Sequence, residues 1–153
     1  MDKVAFVTYD EEFLKRSWDW LNDPDIKLLT GTPDFTREEQ VEWFNSLQRR
    51  NDYKVWGMNY GDKKIGVVGL KNIRGEAAEY FGYIGQKEFW NRGISRHMID
   101  HTVHFAQKNN IKKIHLRVRK GYTRAIRAYE KYGFTLCDKN EKQLIMSIDI
   151  HGS

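Results

Sequence analysis

The chain has 153 residues, about the size of one ordinary domain, and we expect a single domain over residues 1–150. Hydrophobic residues make up 40% of the chain and aromatic residues 14%, so intrinsic disorder is excluded and a packed core is expected. The one cysteine, Cys137, excludes an internal disulfide framework and a cysteine-rich zinc module. Because the sequence shows neither a signal peptide nor a run of about 18 apolar residues, we expect a cytoplasmic protein with no membrane partner.

The net charge of +5 is unevenly distributed along the chain. Residues 1–60 contain 8 Lys and Arg against 12 Asp and Glu, whereas residues 61–153 contain 18 against 9. The positive charge therefore belongs to the second part of the chain. This charge suits an anionic partner, either a nucleic acid or a phosphorylated small molecule, or it only faces solvent. The charge alone does not distinguish these possibilities.

Apolar periodicity and turn residues divide the chain into elements. In chain order, the predicted elements are a strand over 3–8, a helix over 11–21, a loop containing both prolines, a helix over 36–50, strands over 53–60, 65–73 and 79–85, a helix over 93–109, a strand over 112–118, a helix over 123–132, and strands over 134–137 and 143–150. Asp10 and Thr36 are suited to cap the first two helices, and Gly133 to end the last. The order βααβββαβαββ predicts a mixed α/β (α+β) fold, with a mostly antiparallel sheet and helices on both faces.

The third predicted helix begins without acidic residues. A helix N-terminus exposes unpaired amides and about half a positive charge, which Asp, Glu or a hydroxyl cap normally offsets. Here the helix begins with Arg92, Gly93 and Arg96, and its first acid is Asp100. Gly93 lets a bound group approach the backbone, and the arginines add positive charge. The segment is therefore suited to bind a pyrophosphate. The alternative is a solvated helix start with two surface arginines.

The same segment resembles a family motif. Residues 90–95, Trp-Asn-Arg-Gly-Ile-Ser, resemble the acyl-CoA-binding signature of the GNAT N-acetyltransferase superfamily, with Trp90 and Ser95 as departures from it. Residues 124–134 resemble the late helix of that family and its Tyr-x-x-x-Gly-Phe ending. The two motifs occur in order, about 40 residues apart, and the predicted element order is that of a GNAT-like fold. The resemblance therefore covers the whole chain.

This resemblance implies that acetyl-CoA is the cosubstrate, that no metal is used, and that a primary amine attacks the acetyl group directly. Such a reaction needs a base for the amine, a donor for the oxyanion and an acid for the leaving thiolate. Tyr129 stands at the family's tyrosine position and is expected to be the acid, although it also suits packing on the inner helix face. The family's glutamate position is Arg117, which cannot accept a proton. We expect Glu79 to be the base, acting through water, with His115 or a water chain to solvent as alternatives.

The resemblance also implies a binding site for acetyl-CoA. Backbone groups at the end of the strand before this motif are expected to pair with the pantetheine arm. The loop and the N-terminus of the following helix are expected to hold the pyrophosphate. Tyr122 replaces an asparagine common in the family and is expected to stack or bond along the pantetheine arm. The residues expected to bind acetyl-CoA are Tyr83, Ile84, Gly85, Asn91, Arg92, Gly93, Ile94, Ser95, Arg96 and Tyr122.

The first 50 residues are expected to cover the acceptor side. They belong to the acidic part of the chain, which suits a cationic amine, and they contain Trp18, Trp20 and Trp43. Trp18 and Trp43 are each individually typical of the core of an amphipathic helix. Segments 17–24 and 35–44 resemble a GNAT branch that acetylates nucleotide-linked amino sugars in surface-polysaccharide biosynthesis. We therefore expect a small-molecule acceptor of this class. Protein N-terminal amines, such as those of ribosomal proteins, and polyamines are the alternatives.

Two other classes of protein fit parts of the sequence. The basic residues between 112 and 127 suit a nucleic-acid binder, but no helix-turn-helix, RNA-recognition signature or zinc finger accompanies them, and no nucleic-acid partner is expected. A non-catalytic acyl-CoA-binding module is the other alternative. His97, His101 and His104 have helical spacing, but the outer two lie about 10 Å apart along the axis and cannot share one metal ion. We expect a monomer or a homodimer.

Overall fold

The computed structural model describes residues 4–151, so Lys3, where the first predicted strand begins, lies outside the described residues. The strands are β1 Val4–Thr8, β2 Lys54–Tyr60, β3 Lys63–Arg74, β4 Ala77–Ile84, β5 Lys113–Arg119, β6 Thr135–Lys139 and β7 Gln143–Asp149. The helices are α1 Glu11–Asn22, α2 Pro24–Thr30, α3 Arg37–Ser46, α4 Ile94–Lys108 and α5 Thr123–Tyr132, with 3₁₀ turns at Leu47–Arg49 and Lys87–Phe89. The predicted mixed α/β fold is confirmed.

The predicted caps fix where α1 and α3 begin. The Asp10 carboxylate accepts a hydrogen bond from the Phe13 amide at 3.1 Å. Thr36 and Glu39 form a reciprocal capping box, with bonds of 3.0 Å from the Glu39 amide to the threonine hydroxyl and 2.8 Å from the Thr36 amide to the glutamate carboxylate. These bonds satisfy amides that have no partner within the helix, so each helix starts at a defined residue.

The prediction of a loop between the first two helices is wrong for residues 24–30, which form α2. The Asp23 side chain accepts hydrogen bonds from the Asp25 and Ile26 amides, and Pro24 occupies the first turn. Proline is tolerated there because the amide it lacks has no partner within the helix. Gly31, with φ 69°, ends the helix. Asp-Pro and Gly-x-Pro are typical of turns and equally of a short helix with its own cap, which explains the error.

The seven strands form one sheet in the order β1-β2-β3-β4-β5-β7-β6. Every neighbouring pair is antiparallel except β4 and β5, which are parallel. This parallel pairing covers only Ala77–Glu79 against Lys113–His115. Beyond it, β4 continues beside β3 as far as Ile84, and β5 continues beside β7 as far as Arg119. The two central strands therefore diverge and leave a gap in the middle of the sheet.

Two apolar clusters hold the helices to the sheet. On one face, Met98 and Ile99 of α4 are buried in the larger cluster with residues from β3, β4, β5 and β7. On the other face, Phe13 and Trp20 of α1 are buried with Ile26 of α2. The gap between β4 and β5 is therefore flanked by helices from both layers. Within residues 4–151, no helix is both long and apolar enough to cross a membrane.

Candidate active site

A cavity of about 980 Å³ occupies the gap between the diverging strands. Its walls come from both sides of the sheet, because α2 and α3 contribute residues on one face and the starts of α4 and α5 on the other. Both predicted catalytic residues, Glu79 and Tyr129, line this cavity. The elements that the sequence places far apart thus meet around one elongated site.

The backbone of β4 offers hydrogen-bonding groups to this gap. The Gly85 amide donates to the Ile65 carbonyl at 2.7 Å, which fixes the alternation of bonded and non-bonded pairs between β3 and β4. By that alternation, Tyr83 directs its backbone groups toward β3, whereas Gly82 and Ile84 direct theirs into the gap. Of the three predicted pantetheine partners, only Ile84 therefore presents backbone groups to the cavity. Gly82, which was not among the predicted residues, also presents backbone groups to the cavity.

A tryptophan side chain already uses one of these groups. The Trp90 indole N–H donates to the Ile84 carbonyl at 2.8 Å, and Trp90 itself lines the cavity. The groups still open to a ligand along this stretch are the Ile84 amide and both backbone groups of Gly82. Trp90 was noticed in the sequence only as a departure from the motif. Its structural role is to close the carbonyl end of β4 and to form part of the cavity wall.

The start of α4 fits the predicted pyrophosphate site. Gly93 at the N-cap has φ 78°, Asn91 has φ 64°, and neither a side-chain cap nor an acid occurs in the first turn. Asn91, Gly93, Ile94 and Ser95 line the cavity, so the uncapped amides of this turn open into it. Uncapped amides at the positive end of a helix dipole are a site for a phosphate group.

Arg92 and Arg96, which were expected to hold the pyrophosphate, are not among the described residues that line the cavity. The Arg92 guanidinium is 5.1 Å from the centre of the Phe89 ring. Arg119 at the end of β5 and Arg124 in the first turn of α5 do line it. Positive charge therefore reaches the cavity mainly from β5 and α5, which the motif at α4 does not indicate.

Tyr129 lies on the inner face of α5. Its ring packs edge-on against Tyr80 and Phe134, with centroid distances of 6.4 and 5.8 Å. Burial raises the pKa of its hydroxyl to about 12, so the group stays protonated near neutral pH. Tyr122, just before α5, also lines the cavity. Tyr129 therefore both packs on the inner face of α5 and lines the gap, and the sequence was compatible with both positions.

Glu79 on β4 is buried, with 7% of its surface exposed, and has partners on the two neighbouring strands, β3 and β5. Its Oε1 accepts a hydrogen bond from Asn72 Nδ2 at 3.0 Å and lies 3.6 Å from His115 Nε2. Its Oε2 lies 4.0 Å from Lys71 Nζ and 3.8 Å from Arg117 Nε. The structure therefore brings together the two residues that the sequence offered as alternative bases. Asn72 was missed because it sits in a bulge with φ 51°, which no local pattern signals.

The end of the cavity beside α3, which was expected to face the acceptor, is aromatic rather than acidic. Tyr9, Trp43 and Tyr53 form consecutive edge-to-face pairs with centroid distances of 5.6 Å, and all three line the cavity. Among the described lining residues the acids are Glu39 and Glu79, against four Lys and Arg. The expected acidic rim is therefore not found in this cavity.

The other two tryptophans of the N-terminal segment have structural roles. Trp18 packs edge-on against Phe35, with ring centroids 5.2 Å apart, and its ring lies under the Arg37 guanidinium at 4.4 Å. Trp20 lies against Gly85, where a Cβ atom would come within 2.1 Å of the indole. Of the three tryptophans, Trp43 is the one that lines the cavity.

Of the three helical histidines, His101 packs against aromatic residues of the sheet. The His101 ring stacks on Phe6 at 4.1 Å and meets Trp56 edge-on at 4.4 Å. Within residues 4–151, no group of three or more His, Cys, Asp or Glu side chains is arranged to hold a metal ion.

Comparisons with known proteins agree with this architecture. The profile of the acetyltransferase (GNAT) family matches residues 14–134. An uncharacterized protein of Methanocaldococcus jannaschii, MJ1062, is 25% identical over 115 residues, which cover 74% of this chain. The match spans 24% of that relative's length, so this chain corresponds to about a quarter of it.

Solved structures show the same fold. A spermidine N-acetyltransferase from Vibrio cholerae, in complex with CoA and spermine, superposes with a TM-score of 0.87 at 19% identity, covering 97% of this chain and 96% of that one. A domain from Methanocaldococcus jannaschii superposes with a TM-score of 0.85 at 21% identity, covering 97% of this chain and 99% of that one. Campylobacter jejuni N-acetyltransferase PseH, in complex with acetyl coenzyme A, gives 0.74 at 15% identity, covering 95% and 98%. With most of its length matched by the family profile and its strands diverging around the cavity, the chain belongs to the GNAT family of acetyltransferases.

Proposed function

We propose that this protein transfers the acetyl group of acetyl-CoA to a primary amine by direct attack, and that the amine belongs to a nucleotide-linked amino sugar. The observation that carries the proposal is the gap between β4 and β5, which leads to the uncapped N-terminus of α4. Such a gap offers strand-like hydrogen bonds to an extended chain and backbone amides to a phosphate at its end. Acetyl-CoA has both features, because its pantetheine arm joins an acetyl thioester to a pyrophosphate.

The residues around the gap have distinct roles in this reaction. The backbone of Gly82 and the Ile84 amide align the pantetheine arm, while the amides at Ile94 and Ser95 hold the pyrophosphate. The amine nitrogen attacks the thioester carbonyl carbon, the carbon–sulfur bond breaks and the thiolate leaves. The proton lost by the amine passes to Glu79 directly or through water, and from there to His115 or to solvent. Tyr129 donates a hydrogen bond to the sulfur as it becomes negative.

The aromatic end of the cavity supports an acceptor with a flat or ring-shaped part. Trp43 and Tyr53 are partly exposed there and the buried Tyr9 packs against Trp43, which gives an aromatic wall that suits the base of a nucleotide or one face of a sugar. Four cationic side chains line the same cavity, which suits phosphate groups better than a second ammonium group. We place the protein in the cytoplasm, as a single domain that acts as a monomer or a homodimer.

The test measures cofactor binding and turnover separately. Calorimetry with acetyl-CoA reports binding, and release of free CoA reports transfer to a panel of 4-amino sugar nucleotides, N-terminal peptides and polyamines. Because Cys137 is an exposed thiol, a Cys137→Ser variant serves as the control when CoA is detected with a thiol reagent. Absence of acetyl-CoA binding at millimolar concentration would refute the proposed transferase activity. Faster turnover of polyamines or peptides than of sugar nucleotides would identify those amines as the acceptor instead.

A further inference from the structure

The wall of the cavity around Glu79 is positively charged. Lys71 Nζ and Arg117 Nε lie 4.0 and 3.8 Å from the same oxygen of the Glu79 carboxylate. All three residues line the cavity, so two permanent cations face it beside one carboxylate. The carboxylate alone does not use the binding capacity of these cations, since a guanidinium has five N–H donors and an ammonium has three.

Both cations remain accessible from the cavity. The side chains of Lys71 and Arg117 are 37% and 46% exposed, whereas the side chain of Glu79 is 9% exposed. A ligand that enters the acceptor side therefore meets the lysine and the arginine before it reaches the carboxylate. A ligand with several positive charges is repelled at this point, and a ligand with a negative group is attracted.

The phosphates of acetyl-CoA do not account for this pair. In the proposed reaction the pyrophosphate lies at the start of α4, just beyond the end of β4. Glu79 stands five residues before Ile84, and at about 3.3 Å per residue this separates the two places by about 16 Å. Arg119 and Arg124 lie farther along β5 and at the start of α5, which is the side of the pyrophosphate. Lys71 and Arg117 instead flank the place where the amine must react.

We infer that the acceptor amine carries a phosphate group and that Lys71 and Arg117 bind this phosphate, so that they determine acceptor specificity. The inference rests on the proposed acetyl transfer and adds to it the two residues that recognise a phosphate group of the acceptor. Arg117 forms charge-assisted hydrogen bonds with two phosphate oxygens, and Lys71 contributes a point charge. Glu79, between them, faces the amine of the same molecule. The site thus recognises a molecule that has a positive and a negative group close together.

The experiment compares two ligands that differ by one phosphate. N-Acetylglucosamine 6-phosphate and N-acetylglucosamine are titrated calorimetrically into the CoA-loaded protein, and glucosamine 6-phosphate and glucosamine are compared as substrates. We expect the phosphorylated ligand to bind at least tenfold more tightly. This preference falls at least fivefold in Arg117→Gln and in Lys71→Met. It falls less in Arg117→Lys, which keeps the charge but loses the paired hydrogen bonds of the guanidinium. Arg127→Gln, on the exposed surface of α5, is the matched control and keeps the full preference.

Several outcomes decide the question. The inference is overturned if the phosphorylated ligand binds no more tightly than its neutral counterpart, or if the preference survives both neutralising substitutions. Circular dichroism melting curves of each variant establish that it is folded. Failure of the proposed acetyl transfer is a separate result, because it appears as absence of CoA release with every amine, whereas the ligand preference is measured without turnover. Nucleotide-linked amino sugars, added as a further arm, distinguish a diphosphate acceptor from a simple sugar phosphate.

Discussion

Replacing Tyr129 by phenylalanine removes one hydroxyl group and leaves the packing of the ring intact. The contacts of Tyr129 with Tyr80 and Phe134 are ring contacts, which phenylalanine preserves. We therefore expect a folded variant with nearly unchanged thermal stability. Any change in activity then reports on the hydroxyl group alone.

The expected magnitude follows from the acidity of this hydroxyl. Burial raises the pKa of Tyr129 to about 12, whereas an ordinary thiol has a pKa near about 8.5. Full transfer of the phenolic proton to a thiolate is therefore unfavourable by about three to four powers of ten. A hydrogen bond to the charged sulfur remains favourable and contributes about 1.5–3 kcal/mol. Because about 1.4 kcal/mol corresponds to a factor of ten in rate, its loss lowers kcat by about ten- to a hundredfold.

The assay separates this effect from binding. The hydrogen bond forms as charge develops on the sulfur, so the Kd for acetyl-CoA stays within about twofold while kcat falls. The rate of CoA release and calorimetry measure the two quantities. A pKa of about 12 also means that ionisation of Tyr129 causes no alkaline loss of activity below pH 11. An unchanged kcat removes Tyr129 from the proposed role, and an equal loss of kcat and affinity assigns it to cofactor binding instead.

Three further substitutions test the site and the fold. Ser95→Asp places a carboxylate in the first turn of α4, where it repels a phosphate group, so we expect the affinity for acetyl-CoA to fall at least tenfold. Thermal stability should stay equal or rise slightly, because a negative charge is favourable at a helix N-terminus. Unchanged affinity contradicts the phosphate site. Gly85→Ala drives a methyl group into the indole of Trp20 and is expected to lower the free energy of unfolding by about 1–3 kcal/mol. In a Trp20→Leu background the same substitution should lower it by less. If urea titrations give equal losses in the two backgrounds, the contact is contradicted. Burial lowers the pKa of His101 in the folded state, so its stabilising contribution is complete above about pH 6.5 and is lost as the pH falls. The unfolding free energy of His101→Phe should therefore decline less between pH 8 and pH 5 than that of the unmodified protein, and equal declines refute this role.

Local signals in the sequence predict most of the fold. Asp10, Thr36 and Gly133 mark helix ends through hydrogen bonds or a backbone conformation that involve only nearby residues, and all three positions are confirmed. α2 was missed because Asp23 and Pro24 are equally typical of a turn and of a helix start. What decides between them is the burial of Ile26 against the sheet, which is a tertiary contact that local patterns do not contain.

The backbone contribution of β4 to the site was only partly predicted, for a geometric reason. The resemblance indicates the end of this strand, but which residues direct their amides into the gap depends on the pairing with β3. The bond between the Gly85 amide and Ile65 sets that alternation and selects Gly82 and Ile84. The indole of Trp90 then takes the Ile84 carbonyl, which a sequence motif does not reveal.

The residues around Glu79 show most clearly what sequence reasoning lacks. Lys71, Glu79 and His115 stand opposite one another on β3, β4 and β5, so they form one row across the sheet. Alternation along each strand predicts which face a side chain occupies, but the row depends on the bulge at Asn72 and on the short parallel pairing of β4 with β5. A shift of β5 by one residue would turn His115 to the opposite face and break the row. Because His115 Nε2 and Glu79 Oε1 lie 3.6 Å apart within this row, we expect the two residues to act on the amine proton as one unit rather than as alternatives, so that the effects of replacing each do not add.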